Sequence, residues 1–409
     1  MRTLKELSRL GITIVTIIHQ PRQEIFESLD NLLLFGAGRM IFQGPESDVQ
    51  GYFENVGFKF PEHANPADVV MDIIAGQGQL YKPVGETGLP ALIEHWKNYQ
   101  YSLQKHASVL SVSQQETQAL RSSIKMRGAP WWRQTYFCFL RSITQQIRLK
   151  SSFFSELGVG ALAGFLIGLA QLNSHGINFQ GLFHFPYEVL SSSLNYAAVP
   201  QMALLVGLSI GLTASSPGVK IFGEEKLVYW REAAAGHHRL AYHVGKVAST
   251  LPRMALANLH FTTVFLLLAT PRIPFPAAFI ANLLYFWCIY GLASCISMLT
   301  RREDGPLLAV MTSLIAGVLN GLSPSLAQVR VWHMQWLWRA SPGTWLAELY
   351  FDQNVRPLAY LYHVDHAAGY LGYRLGHFQR DLYMLFVLGL VYRVVAFVLM
   401  VLCNRHRQK

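Results

Sequence analysis

The sequence predicts a mostly α-helical membrane protein, a six-helix transmembrane domain preceded by a small α/β portion. Three observations carry that prediction. Of the 409 residues, 51% are hydrophobic and only 14% charged, whereas a soluble domain averages about a quarter charged. The deficit falls after residue 150, where six long apolar stretches follow one another. The first eighty residues instead mix short β-type runs with amphipathic ones.

The α/β portion covers 1–80. Thr3–Leu10 reads as the end of a helix. Gly11 to Ile18 is rich in Ile, Val and Thr and stops at His19-Gln20-Pro21, the signature of a short buried strand. A His at the C-terminal edge of such a strand sits where α/β sheets bind ligands. Gln23–Ser28 is a short helix. Asn31–Phe35 and Arg39–Gln43 flank Gly36-Ala37-Gly38, a hairpin signal. Val49–Val56 and Pro66–Ala75 are amphipathic helices, the second with Asn65 as N-cap and a first-turn proline. Residues 81–129 are polar and weakly periodic, a cytosolic linker with a helix or two. At 130–152, Trp131, Trp132, Tyr136, Phe137, Phe139, Leu140, Ile143 and Ile147 recur on a helical period with Arg133, Arg141 and Arg148 between them. A basic amphipathic helix of this kind suits a membrane surface.

Six spans then occupy 153–403: Phe153–Asn173, Ala197–Ser215, Val247–Thr270, Ala277–Thr300, Pro306–Leu322 and Leu382–Cys403. Crossing about 30 Å of hydrocarbon takes about 20 residues, so the fifth is at the short limit. The loop 174–196 has no Lys or Arg, whereas 216–246 holds Lys220, Lys226, Arg231, Arg239 and Lys246. Basic residues mark the cytosolic side, which predicts an integral, multi-pass protein with both termini cytosolic and 404–409 as a cytosolic tail. The loop 323–380 runs mildly against this bias with five Arg, but Trp332, Trp336, Trp338 and Trp345 suggest helices dipping into the interface.

The net charge of +10 does not point to nucleic acid, because the basic residues crowd around the ends of the spans. Cys138, Cys288, Cys295 and Cys403 lie outside long loops, so they read as packing residues rather than a disulfide framework. His363, Asp365, His366 and His377 have only loop spacing, and no metal is expected there.

Ile12–His19 with Gln20-Pro21 looks like the H-loop of an ABC ATPase. Gly51-Tyr52-Phe53-Glu54, Asn65-Pro66-Ala67-Asp68, Tyr229-Trp230-Arg231-Glu232 with Gly236, Asn320-Gly321-Leu322-Ser323-Pro324 and Ala347-Glu348 follow in order. Together these motifs resemble those of the ABCG (white-brown) subfamily of ABC half-transporters. The resemblance covers nearly the whole chain. It implies an ABC-2-type six-span domain behind the C-terminal remnant of a nucleotide-binding domain, with His19 contacting the γ-phosphate of ATP. No G-x-x-x-x-G-K-[S/T] occurs, nor an apolar strand ending in Asp-Glu, nor a Ser-Gly-Gly-Gln signature. The chain is therefore expected to bind neither ATP nor Mg²⁺ competently by itself, and Met1 is expected to be an internal residue of a longer protein.

The resemblance also implies a coupling helix around Glu224, Glu225, Arg231, Glu232 and Gly236. It implies a substrate cavity on a dimer axis, which positional carry-over assigns to Gln201, Met202, Leu205, Met311, Leu314 and Ile315. Arg393 lies inside the last span, where a charge needs a partner, and Glu156 is a candidate; Arg253 is expected to snorkel. The function expected is ATP-driven transport of a small-molecule or lipid cargo, by a homo- or heterodimer with another ABCG-type half. Two alternatives stay open: a non-hydrolysing membrane subunit that modulates a full-length partner, and a channel or scramblase that needs no ATP.

Overall fold

The computed structural model describes residues 2–9, 13–18, 21–62, 64–82, 85, 88–106, 129–172, 179–191 and 193–403. It divides into two compact units, Met1–Lys125 and Met126–Lys409.

The first unit contains α1 (Arg2–Arg9), α2 (Gln23–Phe26), β1 (Asn31–Gly36), β2 (Arg39–Pro45), α3 (Val49–Asn55), α4 (Pro66–Asp72) and α5 (Leu89–His106). β1 and β2 form an antiparallel hairpin in which Leu34 faces Phe42. The turn places Ala37 at φ +48° and Gly38 at φ +72°. A tight hairpin turn of this hand needs positive φ at its central residues. Asn65 caps α4, its side chain accepting from the Ala67 amide at 3.2 Å. The core gathers Ile41, Phe42, Tyr52, Phe53, Val70 and Trp96. Trp96 and Leu92 come from α5, so part of the predicted linker is a helix packed on this core.

The predicted strand before His19 is not present. Residues 13–18 have no regular secondary structure, and Val15 and Ile17 are 84% and 99% exposed. The only sheet among the described residues is the β1–β2 hairpin. A β-type run with no neighbour to ladder against gains nothing from the extended pairing its composition favours. His19 itself lies outside the described residues.

The second unit contains α6 (Trp131–Arg148), α7 (Lys150–Leu172), α8 (Ala198–Gly223), α9 (Lys226–Ala234), α10 (Arg239–Ala269), α11 (Phe275–Leu299), α12 (Gly305–Val318), four shorter helices α13 (Leu326–Val331), α14 (Gln335–Arg339), α15 (Pro342–Val355) and α16 (Val364–Leu371), and α17 (Phe378–Leu402). Among the described residues, five helices are long and apolar enough to cross a membrane: Phe153–Leu172, Ala198–Ala234, Arg239–Ala269, Phe275–Leu299 and Phe378–Leu402. The fifth predicted span is shorter than expected. α12 has 14 residues and rises about 21 Å at 1.5 Å per residue. It stops because Asn320 turns the chain: its side chain donates to Pro200 O at 3.2 Å and accepts from the Leu322 amide at 2.9 Å.

Small residues bring these helices close. A Cβ at Gly164 of α7 would meet Phe261 O of α10 at 2.7 Å, so this crossing depends on glycine. On α17, Gly389 lies beneath Trp287 of α11. The thiols of Cys288 and Cys295 donate to Leu385 O and Tyr392 O, each at 3.0 Å. Both act as packing residues, and no disulfide forms among the described residues.

A buried polar ladder joins three elements. The Tyr350 hydroxyl of α15 donates to Asn282 Oδ1 of α11 at 2.9 Å, Asn282 Nδ2 donates to the Thr262 hydroxyl of α10 at 3.0 Å, and Thr262 donates to Asn258 at 3.0 Å. All four residues are fully buried. In apolar surroundings each group must find a protein partner, so the ladder fixes the relative register of the three helices.

The helices of the 323–380 segment include one built into the bundle. Nearly every residue of α15 is buried, and it packs against α8, α11 and α17. Its Glu348, fully buried, pairs with Arg339 and with Arg380, the latter at 3.2 Å, and accepts from the Arg374 amide at 2.7 Å.

Candidate coupling site

Three elements of the second unit bring charged residues together where α8 hands over to α10. α9 follows α8 after Glu224 and Glu225. It ends in a glycine cap: Gly236 sits at φ +91°, and the His237 amide donates to Glu232 O at 3.0 Å. A left-handed residue after a helix is the place where glycine costs least. His238 then caps α10, accepting from the Ala241 amide at 3.3 Å. The turn is tied to α6, because the His238 amide donates to Gln134 Oε1 at 2.9 Å.

The charges complete a clamp. Arg141 of α6 grips Glu232 of α9 through both terminal nitrogens, the Nη2–Oε2 contact being 3.2 Å. Its Nη2 also lies 3.9 Å from Glu225 Oε2. Glu225 in turn holds Lys246 of α10, Nζ to Oε2, at 2.6 Å. The hydrogen bond to Glu232 raises the Arg141 pKa above its usual value, so this cation stays charged at any physiological pH. The Lys246–Glu225 pair is largely buried, with side chains 7% and 18% exposed. Breaking a buried pair costs about 3–5 kcal/mol. Arg141 and Glu232 are more open, and solvent screening brings that pair down to about 1–2 kcal/mol. Lys226 anchors the start of α9 to the end of α11, donating to Thr300 O at 2.8 Å. The result is a stiff bracket linking α6, α9, α10 and α11.

Against the sequence expectations, Glu225, Glu232 and Gly236 belong to this bracket. Glu224 is exposed at the C-terminal end of α8, and Arg231 is exposed with no ion pair among the described residues. Arg141 and Lys246, which complete the clamp, stood in the sequence only as a basic residue of the amphipathic segment and one of the 216–246 loop. In the structure Arg141 follows buried Cys138 by three residues and precedes buried Ser142 by one, so it lies beside the inward face of α6.

The membrane charges pair differently from the expectation. Glu156 of α7 binds Arg253 of α10, not Arg393. Arg253 therefore does not need to snorkel. Arg393 donates to Trp287 O at 2.7 Å and Gly389 O at 2.9 Å, and its guanidinium stacks on the Trp287 ring. Backbone carbonyls and an aromatic face thus supply what a carboxylate was expected to supply.

The cavity candidates divide. Met311 and Ile315 are 55% and 61% exposed, Gln201 is exposed, and Leu205 and Leu314 are half-buried. Met202 is fully buried in the core of the spans and cannot line a cavity. Gln201 and Leu205 are four residues apart and share a face, whereas Met202 is turned by about 100° from it. Among the described residues no group of three possible metal ligands occurs, at the histidines of 363–377 or elsewhere.

Comparison with known proteins now places the fold. The family model described as ABC-2 type transporter matches residues 19–150 and 90–406, and the chain belongs to that family. It is 41% identical over 365 residues to the ABC-type transporter claG of Penicillium crustosum, covering 89% of this chain and 46% of that protein. It is 24% identical to ABC transporter G family member 28 of Arabidopsis thaliana, over 98% of this chain and 38% of that protein. It is 26% identical to the broad substrate specificity ATP-binding cassette transporter ABCG2 of Bos taurus, over 82% of this chain and 52% of that protein. The second unit is an ABCG-like membrane domain, and the chain spans about half the length, or less, of the curated relatives it matches.

Proposed function

We propose that this chain is the membrane-spanning, force-receiving part of an ATP-driven ABCG-type exporter that works as a homo- or heterodimer and moves a lipophilic small molecule or lipid. The observation that carries this reading is the clamp of Arg141, Glu232, Glu225 and Lys246, which ties the short charged helix α9 to two long helices. A rigid bracket at the end of the spans converts a push on α9 into movement of α6 and α10 together. The membrane orientation in this reading follows the basic flanks, with both termini in the cytosol.

ATP and Mg²⁺ belong to complete nucleotide-binding domains of the dimer. The residues described here do not fit such a site: the sequence has no phosphate-cradling loop, and residues 13–18 lack the strand that would present His19. Met311 and Ile315, apolar and exposed on α12, are suited to a dimer-axis cavity with Gln201 and Leu205.

The test is to reconstitute the chain with an ATP-hydrolysing ABCG half-transporter and follow a fluorescent lipophilic cargo. Nucleotide-dependent transport that vanishes without the chain supports the proposal. Equal flux with and without nucleotide contradicts it and favours a channel.

A further inference from the structure

The outward face of α6 is unusual for a helix whose other face is packed. Cys138 and Ser142, 4% and 2% exposed, lie on the packed side, where Gly245 of α10 leaves room for Cys138 and Gln146 bonds Ser249. At 100° per residue, Leu140 points about 180° away from that contact. Around it stand Trp132, Phe137 and Ile147, which are 55%, 61% and 64% exposed. The same face carries cations and no anions. From Glu116 to Glu156 the sequence contains no acidic residue. Arg133, Arg148 and Lys150 are exposed and form no ion pair among the described residues, although Arg133 stacks over Trp132 at 5.1 Å.

The position of the helix limits what can cover it. Only Leu149 separates α6 from α7, and the apolar stretch of α7 begins at Phe153. α6 is therefore held at the mouth of a span. A basic helix with exposed aromatic and aliphatic side chains at that level meets headgroups and the first acyl carbons. Trp is favoured at this depth because its ring is apolar and its N–H polar.

We propose that the outward face of α6 binds anionic phospholipid in the leaflet that α7 enters, with Arg133, Arg148 and Lys150 on the headgroups and Trp132, Phe137 and Ile147 among the upper acyl chains. Charge complementarity selects anionic over zwitterionic lipid, and each Lys or Arg near an anionic surface strengthens binding about fivefold. The proposal rests on α6 and on Lys150 at the start of α7, and does not depend on the coupling reading.

The full chain, reconstituted in phosphatidylcholine bilayers, is probed with spin-labelled phosphatidylserine or phosphatidylcholine. The motionally restricted fraction then gives the relative association constant. The expected result is a preference for phosphatidylserine that falls at least twofold in R133Q/R148Q/K150Q and is retained in R133K/R148K, with the thermal transition of the chain unchanged in both. A triple variant with the native preference overturns the proposal, as does a native chain with none.

Discussion

Glu348→Gln is the most demanding test of the packing. Glu348 is fully buried on α15, and its carboxylate meets two guanidiniums and a backbone amide. The amide side chain removes the anion but keeps the shape. Arg380 retains Asp381 at 2.8 Å, whereas Arg339 is left with the face of Trp345 at 4.6 Å. Removing one partner of a buried ion pair costs about 3–5 kcal/mol. The side chains of Arg339 and Arg380 are 16% and 28% exposed, so water offsets part of the loss and about 3 kcal/mol is expected. At about 2–4 °C per kcal/mol for a domain of this order, the melting temperature falls by about 6–12 °C. Tryptophan fluorescence of the purified chain during heating reads it, since Trp338 and Trp345 are buried close by. Removing both charges in E348Q/R339M costs less than the single change, because no cation is then stranded. A Glu348→Gln transition within 2 °C of the native one refutes the reasoning, and so does additivity in the double variant.

Other consequences follow the same physics. Glu156→Gln strands Arg253 between α7 and α10 and lowers thermal stability by about 2 kcal/mol, whereas E156M/R253M restores most of it; heating curves of the three variants decide. Asn282→Leu cuts the ladder between Tyr350 and Thr262 and costs about 1–2 kcal/mol, read as a lower midpoint with the fold retained. His237 is held by burial below its usual pKa of 6.5. The unfolded chain then binds a proton there at higher pH than the folded one. Stability from this residue is complete above about pH 6.5 and declines as pH falls toward the depressed pKa. The loss stays under about 1 kcal/mol, since the ring is part-exposed, and melting curves of His237→Gln from pH 7.5 to 5.5 lack that slope.

Local chemistry was legible in the sequence and distant partnership was not. Asn65-Pro66 declares a helix start because the cap and the proline act within three residues of each other. Gly36-Ala37-Gly38 declares its turn for the same reason. The run before His19 has strand composition, yet a strand exists only when another lies beside it, and none of the described residues provides one. Arg393 announced that it needed partners but not that carbonyls and Trp287 would serve. Glu232 and Arg141 are 91 positions apart, and no pattern within either helix names the other. The buried acid on α15 was hidden for a similar reason: its partners come from α14 and α17, and its own helix has no polar face to mark an exposed side.

The number of cargo molecules moved per ATP tests the central claim most directly, measured with this chain paired to an ATP-hydrolysing half-transporter in proteoliposomes. If the α6–α9–α10 bracket carries the stroke, Glu232→Gln lowers that number about tenfold while hydrolysis stays within twofold of native. The exchange R141E/E232R then restores much of the ratio. An unchanged ratio in Glu232→Gln, or transport and hydrolysis falling in equal proportion, contradicts the account.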